Sequence, residues 1–152
     1  MRTHVKQIVC VDDNQLILQI LEWHLESRGY TVFPCSSGKQ ALDLIIRQPI
    51  DAVIVDYHMP EMNGNEVAAA IRSIAPRMPI AMFSGESEIP PTARSFIDRF
   101  IEKGQPGDFT AVAEFIESVS AKTNHRKVRI GAKQKHSVRH YSKQRHERQA
   151  AA

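Results

Sequence analysis

Short apolar runs rich in β-branched residues alternate with helix-like segments along most of this chain. The runs fall at residues 7–11, 30–34, 52–56, 80–83 and 99–102. Runs of this length, bounded by turn residues, are typical of buried strands. Because helical patterns separate them, the sequence predicts an α/β fold built from βα units, with a doubly wound, five-stranded parallel sheet.

Five helix-like segments follow these strands. The predicted segments are a first helix from near Asn14 to Gly29, a second capped by Ser36 or Ser37, a third from about Asn63 to Ala75, a short fourth from about Pro91, and a fifth after Gly107-Asp108. Capping residues and helix-ending glycine and proline set these bounds. In the third helix, Val67, Ile71 and Ile74 have the spacing of an inward-facing stripe.

Length and composition favour one soluble domain. The chain has 152 residues, of which 42% are hydrophobic and 24% charged. The first residues run into a strand without the apolar core of a signal peptide, and no apolar stretch approaches the roughly 20 residues needed to span a bilayer. We therefore expect a cytoplasmic protein with no membrane partner.

The two cysteines, Cys10 and Cys35, lie in or beside apolar strands. We expect both to be reduced, buried thiols that pack as small apolar side chains. A redox pair would require their two strands to be neighbours. Their number and spacing do not resemble a zinc site.

Charge is distributed unevenly along the chain. Residues 122–152 hold ten Lys or Arg and one acid, whereas residues 1–121 hold ten Lys or Arg and sixteen acids. The basic segment has few apolar residues and no periodicity, so it cannot bury enough apolar area to offset its ordering entropy. The sequence predicts a domain over residues 1–121 and a disordered basic tail over residues 122–152.

Polar residues follow four of the predicted strands at their carboxyl ends. They are Asp12 and Asp13 after the first strand, Asp56 at the end of the third, Ser84 after the fourth and Lys103 after the fifth. Right-handed βα units bring these ends to one edge of the sheet. Singly, each residue is explained as a helix cap, a turn serine or a surface lysine. Together, the three carboxylates suit a divalent cation beside a nucleophilic oxygen.

Several spaced motifs resemble the receiver domain of two-component response regulators over roughly residues 5–121. They are Val11-Asp12-Asp13, then the run from Asp56 through Met59-Pro60 to Gly64, then Phe83-Ser84-Gly85-Glu86, and last Phe100-Ile101-Glu102-Lys103-Gly104. The resemblance implies a flavodoxin-like sheet of order 2-1-3-4-5. It also implies that a histidine kinase or phosphotransfer protein transfers a phosphoryl group to Asp56, and that the protein catalyses only its own phosphorylation and dephosphorylation.

The resemblance also assigns a role to each site residue. Mg²⁺ is expected on Asp13 directly, on Asp12 through water, and on Asp56 and the His58 backbone carbonyl. Lys103 and the Ser84 hydroxyl would contact the phosphoryl oxygens, and Ser84 and Phe100 would form the conformational switch. The His58 ring and Glu86 flank this edge, where they could tune hydrolysis of the acyl phosphate.

Two departures from the family pattern affect the expected output. Gly104 follows the lysine where the family usually has a cis proline that helps aim the ammonium, so we expect a looser loop. The Pro90-Pro91 segment departs from a regular fourth helix, the element with which receivers commonly meet partners.

Three functions remain open at this stage. The leading one is a stand-alone receiver that responds to phosphorylation by binding an unknown downstream protein. The second is a nucleic-acid-associated regulator, because runs such as Lys133-Gln134-Lys135-His136 would bind phosphates weakly and nonspecifically. The third is an aspartyl-phosphate hydrolase of the haloacid-dehalogenase type, although those enzymes have a second acid where this chain has His58.

Overall fold

A computed structural model of the protein describes residues 6–130, with side chains described through Val119. The elements are β1 (Gln7–Val11), α1 (Gln15–Glu26), β2 (Thr31–Cys35), α2 (Gly38–Arg47), β3 (Ala52–Val55), α3 (Gly64–Ile74), β4 (Ile80–Ser84), α4 (Pro91–Arg94), β5 (Arg99–Glu102) and α5 (Asp108–Ile130). All paired strands are parallel, in the order β2-β1-β3-β4-β5. The predicted fold class and strand order are confirmed.

Side-chain caps fix the starts of the first three helices. The Asn14 side chain accepts hydrogen bonds from two backbone N–H groups of α1, and Ser37, rather than Ser36, caps α2. Asn63 and Glu66 form a reciprocal capping box at the start of α3. Such caps satisfy backbone donors that the helix itself leaves unpaired, so they determine where each βα loop ends.

Two apolar clusters cover the faces of the sheet, and each contains one cysteine. Cys10 packs among residues of α1 and α5, and Cys35 packs among residues of α2 and α3. Both thiols are free and buried, and burial raises their pKa, that of Cys35 to about 11. Although β1 and β2 are neighbours, the two side chains lie on opposite faces, so the prediction of buried, unpaired thiols is confirmed.

The inward stripe of α3 ends one turn earlier than the sequence predicts. Val67 and Ile71 are fully buried, but Ile74, the last residue of the helix, is 48% exposed. The prediction for Ile74 was therefore wrong. Periodicity identifies the face of a helix on which a residue lies, but it does not show where the neighbouring elements stop covering that face.

The last helix continues to Ile130 and so includes residues 122–130 of the predicted tail. No glycine or proline occurs between Asp108 and Ile130 to end it earlier. Residues 131–152, most of the segment predicted to be disordered, lie outside the described residues. The boundary after residue 121 and the disorder of the tail remain predictions. Within residues 6–130, no helix is both long and apolar enough to cross a membrane.

Candidate functional site

The predicted strand-end residues meet at one edge of the sheet, where they line a single open pocket. Its volume is about 340 Å³. The lining comprises Asp12, Asp13, Asn14, Ile17, Asp56, His58, Ser84, Gly85, Glu86 and Lys103. The sheet order explains the juxtaposition, because β1, β3 and β4 are consecutive neighbours and β5 lies beside β4. The topology thus brings together residues that are up to 91 positions apart in sequence.

One ammonium group joins two buried carboxylates in this pocket. The Nζ atom of Lys103 lies 2.5 Å from Oδ2 of Asp12 and 2.9 Å from Oδ1 of Asp56. The other oxygen of Asp12 accepts a hydrogen bond from the backbone N–H of Asn14 at 2.8 Å. Asp12 is 2% and Asp56 8% exposed, so these charges interact with little screening by water.

The surroundings of Asp56 act on its pKa in opposite directions. Burial raises the pKa of Asp56 above its ordinary value, and the negative charge of Asp12 also raises it. The hydrogen bond and positive charge of Lys103 lower it, and so does a backbone hydrogen bond at Tyr57. The net direction is upward, so the ionised carboxylate is less stable here than in water. A site that holds a costly anion next to solvent suits a reactive group better than a packing residue.

Three carboxylates in the pocket could hold a metal ion. One oxygen each from Asp12, Asp13 and Asp56 lies within 4.8 Å of the others, and Asp13 is the exposed member. Carboxylate oxygens are the donors that Mg²⁺ prefers, and it usually retains several waters on the open side of such a site. The donor set therefore fits a small divalent cation.

The loop after β3 depends on a glycine whose role the sequence did not reveal. The backbone N–H of Gly64 donates to the carbonyl of Tyr57 at 2.8 Å. A Cβ atom at Gly64 would lie 2.1 Å from the carbonyl oxygen of Asp56, closer than real contacts allow. The residue belongs to the motif that starts at Asp56, but only the folded loop shows that its missing side chain lets α3 begin against the Asp56 backbone.

Ser84 lines the pocket, whereas Phe100 does not. Ser84 is 1% exposed, and its Oγ accepts a long hydrogen bond of 3.4 Å from the backbone N–H of Glu86. Phe100 is partly buried against the cluster that contains Cys35. The Arg94 guanidinium carbon lies 5.8 Å from the centroid of the Phe100 ring. Of the predicted switch pair, Ser84 therefore lies at the pocket and Phe100 packs against the apolar cluster that contains Cys35.

His58 and Glu86 meet at the rim of the pocket. The Nε2 atom of His58 lies 2.8 Å from Oε1 of Glu86, and the two side chains are 65% and 49% exposed. This contact joins the loop after β3 to the loop after β4. The His58 side chain is on the surface, as the sequence predicts.

The backbone after Lys103 is held by a hydrogen bond that the sequence did not predict. Gly104 has a φ of 84°, and its N–H donates to Oδ2 of Asp108 at 2.8 Å. No peptide bond among residues 6–130 is cis. We expected a looser loop because the proline is missing. In the structure, a hydrogen bond between Gly104 and Asp108 holds the backbone at this position instead. The signal was an acid four residues after a glycine, which is too common to single out from sequence.

The protein is a flavodoxin-like α/β domain with an acidic site at the carboxyl ends of its strands. A family profile for the response regulator receiver domain matches residues 8–114. The chain therefore belongs to the receiver domains of response regulators. Receiver domains are signalling domains that are phosphorylated on an aspartate in two-component systems, and they interact with histidine kinases or phosphotransfer proteins. This membership goes against the hydrolase interpretation.

Individual relatives agree with this assignment. Over 83 residues, or 55% of this chain, it is 35% identical to the transcriptional regulatory protein GlrR of Escherichia coli and 32% identical to the alkaline phosphatase synthesis transcriptional regulatory protein PhoP of Bacillus subtilis. These matches cover 19% and 35% of the two relatives, so the similarity spans only a minor part of each. The response regulator TrrA from Thermotoga maritima, solved with Mg²⁺ and BeF, is 27% identical with a TM-score of 0.70, over 76% of this chain and 99% of TrrA.

Proposed function

We propose that this domain accepts a phosphoryl group on Asp56 from a histidine kinase or phosphotransfer protein, and that phosphorylation switches a surface that binds a downstream protein. One observation carries the proposal. The buried Asp56 carboxylate opens into a pocket in which an ammonium group lies 2.9 Å from one of its oxygens. A nucleophile, a countercharge and an open approach are the three parts that phosphoryl transfer to a carboxylate needs.

In the transfer, an oxygen of Asp56 forms a bond to phosphorus as the bond from phosphorus to the donor histidine nitrogen breaks. The products are an acyl phosphate and a neutral histidine, whose nitrogen regains a proton. Both reactants are anions, so their repulsion is the main obstacle. Lys103 offsets part of it, because the ammonium group is fixed at the position where the negative charge accumulates.

The acidic cluster supplies the expected metal site. We assign Asp13 as a direct ligand, Asp12 as a ligand through water, and Asp56 and the His58 backbone carbonyl as the remaining donors. A bound Mg²⁺ would neutralise further charge on the phosphoryl oxygens. Asp12 and Asp56 already share the charge of Lys103, which leaves the cluster with an excess of negative charge and favours a second cation.

Ser84 and Phe100 are proposed to convert the new charge into a change of shape. In the structure, the Ser84 Oγ accepts a long hydrogen bond from the backbone N–H of Glu86, so the hydroxyl proton can be donated to a phosphoryl oxygen. Phe100 is only partly buried and can turn inward behind the serine. At the rim, His58 and Glu86 contact each other beside the pocket, where they would tune hydrolysis of the acyl phosphate.

Titration with beryllofluoride and Mg²⁺, followed by NMR, tests the site and the switch together. In the wild type, we expect amide shifts at the pocket that extend to Phe100 and into α5. Asp56→Asn should abolish both sets, whereas Asp43→Asn, an exposed acid on α2, should leave them unchanged. Shifts confined to the pocket would contradict the switch, and equal shifts in Asp56→Asn would contradict the assignment of the phosphoacceptor.

The uneven charge of the chain supports a second candidate function. From residue 122 onward the sequence carries ten Lys or Arg against one acid. Such a segment would bind nucleic-acid phosphates with weak sequence preference and strong salt dependence. Of this segment, residues 131–152 lie outside the described residues, so charge alone supports the proposal.

A further inference from the structure

The first turn of α5 holds the backbone next to Lys103. The carboxylate of Asp108 accepts the N–H of Gly104 on Oδ2 at 2.8 Å and the N–H of Phe109 on Oδ1 at 2.6 Å. The N–H of Asp108 in turn donates to the carbonyl of Gln105 at 3.1 Å. One side chain therefore closes the loop between β5 and α5 immediately after the lysine.

The conformation of Gly104 makes this contact specific to a chain without proline at this position. Its φ of 84° lies in the left-handed region, whereas a proline ring fixes φ near −65°. A proline would also lack the N–H that Asp108 accepts. The bond to Asp108 is therefore an alternative way of fixing the residue that follows the lysine.

A second set of contacts, with aromatic rings and the backbone of β4, holds Lys103. The ring centroid of Phe109 lies 5.3 Å from that of Phe83 in an edge-to-face arrangement, and Nζ of Lys103 lies 5.4 Å from the Phe83 centroid. The backbone N–H of Lys103 donates to the carbonyl of Ser84 at 2.8 Å. A flexible lysine with both its backbone and its surroundings fixed loses less entropy when its ammonium pairs with carboxylates.

We propose that Asp108 is a positioning residue that aims the Lys103 ammonium at Asp12 and Asp56 by fixing the backbone of Gly104. The effect on the rate of phosphorylation rests on the proposed function, whereas the effect on the lysine does not. Loss of the Asp108 carboxylate should leave Lys103 in place but mobile. Since a displacement of about 1 Å can cost about a hundredfold in rate, we expect a partial loss of roughly tenfold in phosphorylation.

The mobility of Lys103 is measured first, by NMR of its ε-methylene group in protein without metal or phosphodonor. The signal is assigned by its loss in Lys103→Ala. We expect two resolved proton shifts in the wild type and an averaged shift in Asp108→Ala. Gln105→Ala is the matched control, because it removes an exposed hydrogen bond of the same loop, to Glu102, without touching Gly104. Unchanged shifts in Asp108→Ala, or the same averaging in Gln105→Ala, would overturn the proposal.

Asp108→Asn covers the case in which the alanine variant does not fold. Its amide oxygen can still accept one of the two backbone N–H groups, so we expect a resolved but smaller shift difference. If Asp108→Asn averages fully while Gln105→Ala does not, the proposal also stands, because only one of these variants alters the contact with Gly104. A folded Asp108→Asn variant whose ε-methylene shifts are indistinguishable from those of the wild type would overturn the proposal.

The rate of phosphorylation by acetyl phosphate then separates positioning from general destabilisation. If Asp108 acts through the lysine, its removal should slow phosphorylation in the wild type but have no further effect in Lys103→Ala. An equal loss in both backgrounds would indicate a merely structural role. If the wild type gains no phosphoryl group at all, the proposed function fails while the ε-methylene result still decides the positioning.

Discussion

At the scale of single residues, the site consists of two buried carboxylates that share one ammonium group. Lys103 contacts both Asp12 and Asp56, so the cluster holds more negative than positive charge. Such a cluster costs folding free energy, and proteins keep it where the charge is used. The effect of this cluster on folding stability and its proposed role in phosphoryl transfer can be measured separately.

Asp56→Asn should stabilise the protein in the absence of metal. Burial raises the pKa of Asp56, so the folded state binds this proton more tightly than the unfolded state. Ionisation then costs stability as pH rises from the ordinary aspartate pKa of about 4 through the raised value. Because asparagine keeps the shape and Lys103 keeps Asp12 as a partner, we expect Tm to rise by a few degrees at pH 7.

The higher Tm of Asp56→Asn should disappear below about pH 4, where Asp56 of the wild type is protonated in both the folded and the unfolded state. Thermal unfolding in metal-free buffer across this pH range measures it, with Asp43→Asn as the exposed control. An Asp56→Asn protein that is less stable than the wild type at pH 7 would contradict this description of the site.

Asp13→Asn should weaken Mg²⁺ binding while leaving the fold intact, because Asp13 is the exposed member of the acidic cluster. We expect at least a tenfold loss of affinity, since removal of even an outer-shell partner costs about 10- to 100-fold. The rise of Tm with Mg²⁺ concentration reports the affinity. Glu86→Gln removes another exposed acid from the pocket rim and should change it little. Equal losses in both variants would indicate a general charge effect instead of a metal site.

Sequence predicted the side chains that line the pocket better than the residues that support them. Ser84 ends a strand, and Asp12, Asp56 and Lys103 each directly follow one. Parallel topology brings these strand ends together. Asp108 is proposed to act through its hydrogen bond with the backbone of Gly104. That contact depends on the conformation of the loop after β5, which no periodicity encodes. Supporting residues of this kind are found only once the chain is folded.

At the scale of secondary-structure elements, the βα loops set the geometry of the site. The loop after β3 carries Asp56 into α3 through the close approach of Gly64 to the Asp56 carbonyl. The loop after β5 carries Lys103 into α5 through Gly104 and Asp108. Each loop therefore joins a reacting group to a helix start through a glycine.

Gly64→Ala should destabilise the domain strongly, because the added Cβ would lie 2.1 Å from a backbone oxygen that cannot move independently. We expect a loss of roughly 3 kcal/mol in the free energy of unfolding, at the upper end of overpacking effects. Gly85→Ala is the matched control in the next loop of the pocket, since nothing lies within 4 Å of its added Cβ. Urea unfolding compares the two variants, and similar losses would contradict this role for Gly64.

The short α4 was predictable from sequence, but the end of the α3 stripe was not. Pro90 and Pro91 restrict where a helix can begin, and the observed α4 is the four-residue helix Pro91–Arg94. The exposure of Ile74 depends on how far neighbouring elements extend, which is a tertiary property. Local chemistry thus sets where elements begin, and packing decides which of their residues are covered.

At the scale of the whole molecule, the chain separates opposite charges along its length. Residues 1–121 carry an excess of acidic residues, and the residues that follow are strongly basic. The fold class and strand order followed from the alternation of runs and from the family resemblance. The role of the basic residues does not follow from either, because charge without an apolar pattern does not specify a structure.

A gel shift with a salt titration tests the nucleic-acid proposal on the intact chain and on a variant that ends at residue 121, before the basic segment. If the basic residues bind phosphates, the intact chain should retard DNA at low salt and lose affinity steeply as salt rises, while the shortened chain should not bind. Equal mobility of DNA with the two proteins would remove this function. The phosphoacceptor proposal would be unaffected.

The most direct test of the central claim is the intact mass of the protein after incubation with acetyl phosphate and Mg²⁺. We expect a gain of one phosphoryl group in the wild type, in Asp43→Asn and, more slowly, in Lys103→Ala, and no gain in Asp56→Asn. A wild type whose mass never rises, or an Asp56→Asn variant that gains the same group at the same rate, would contradict it.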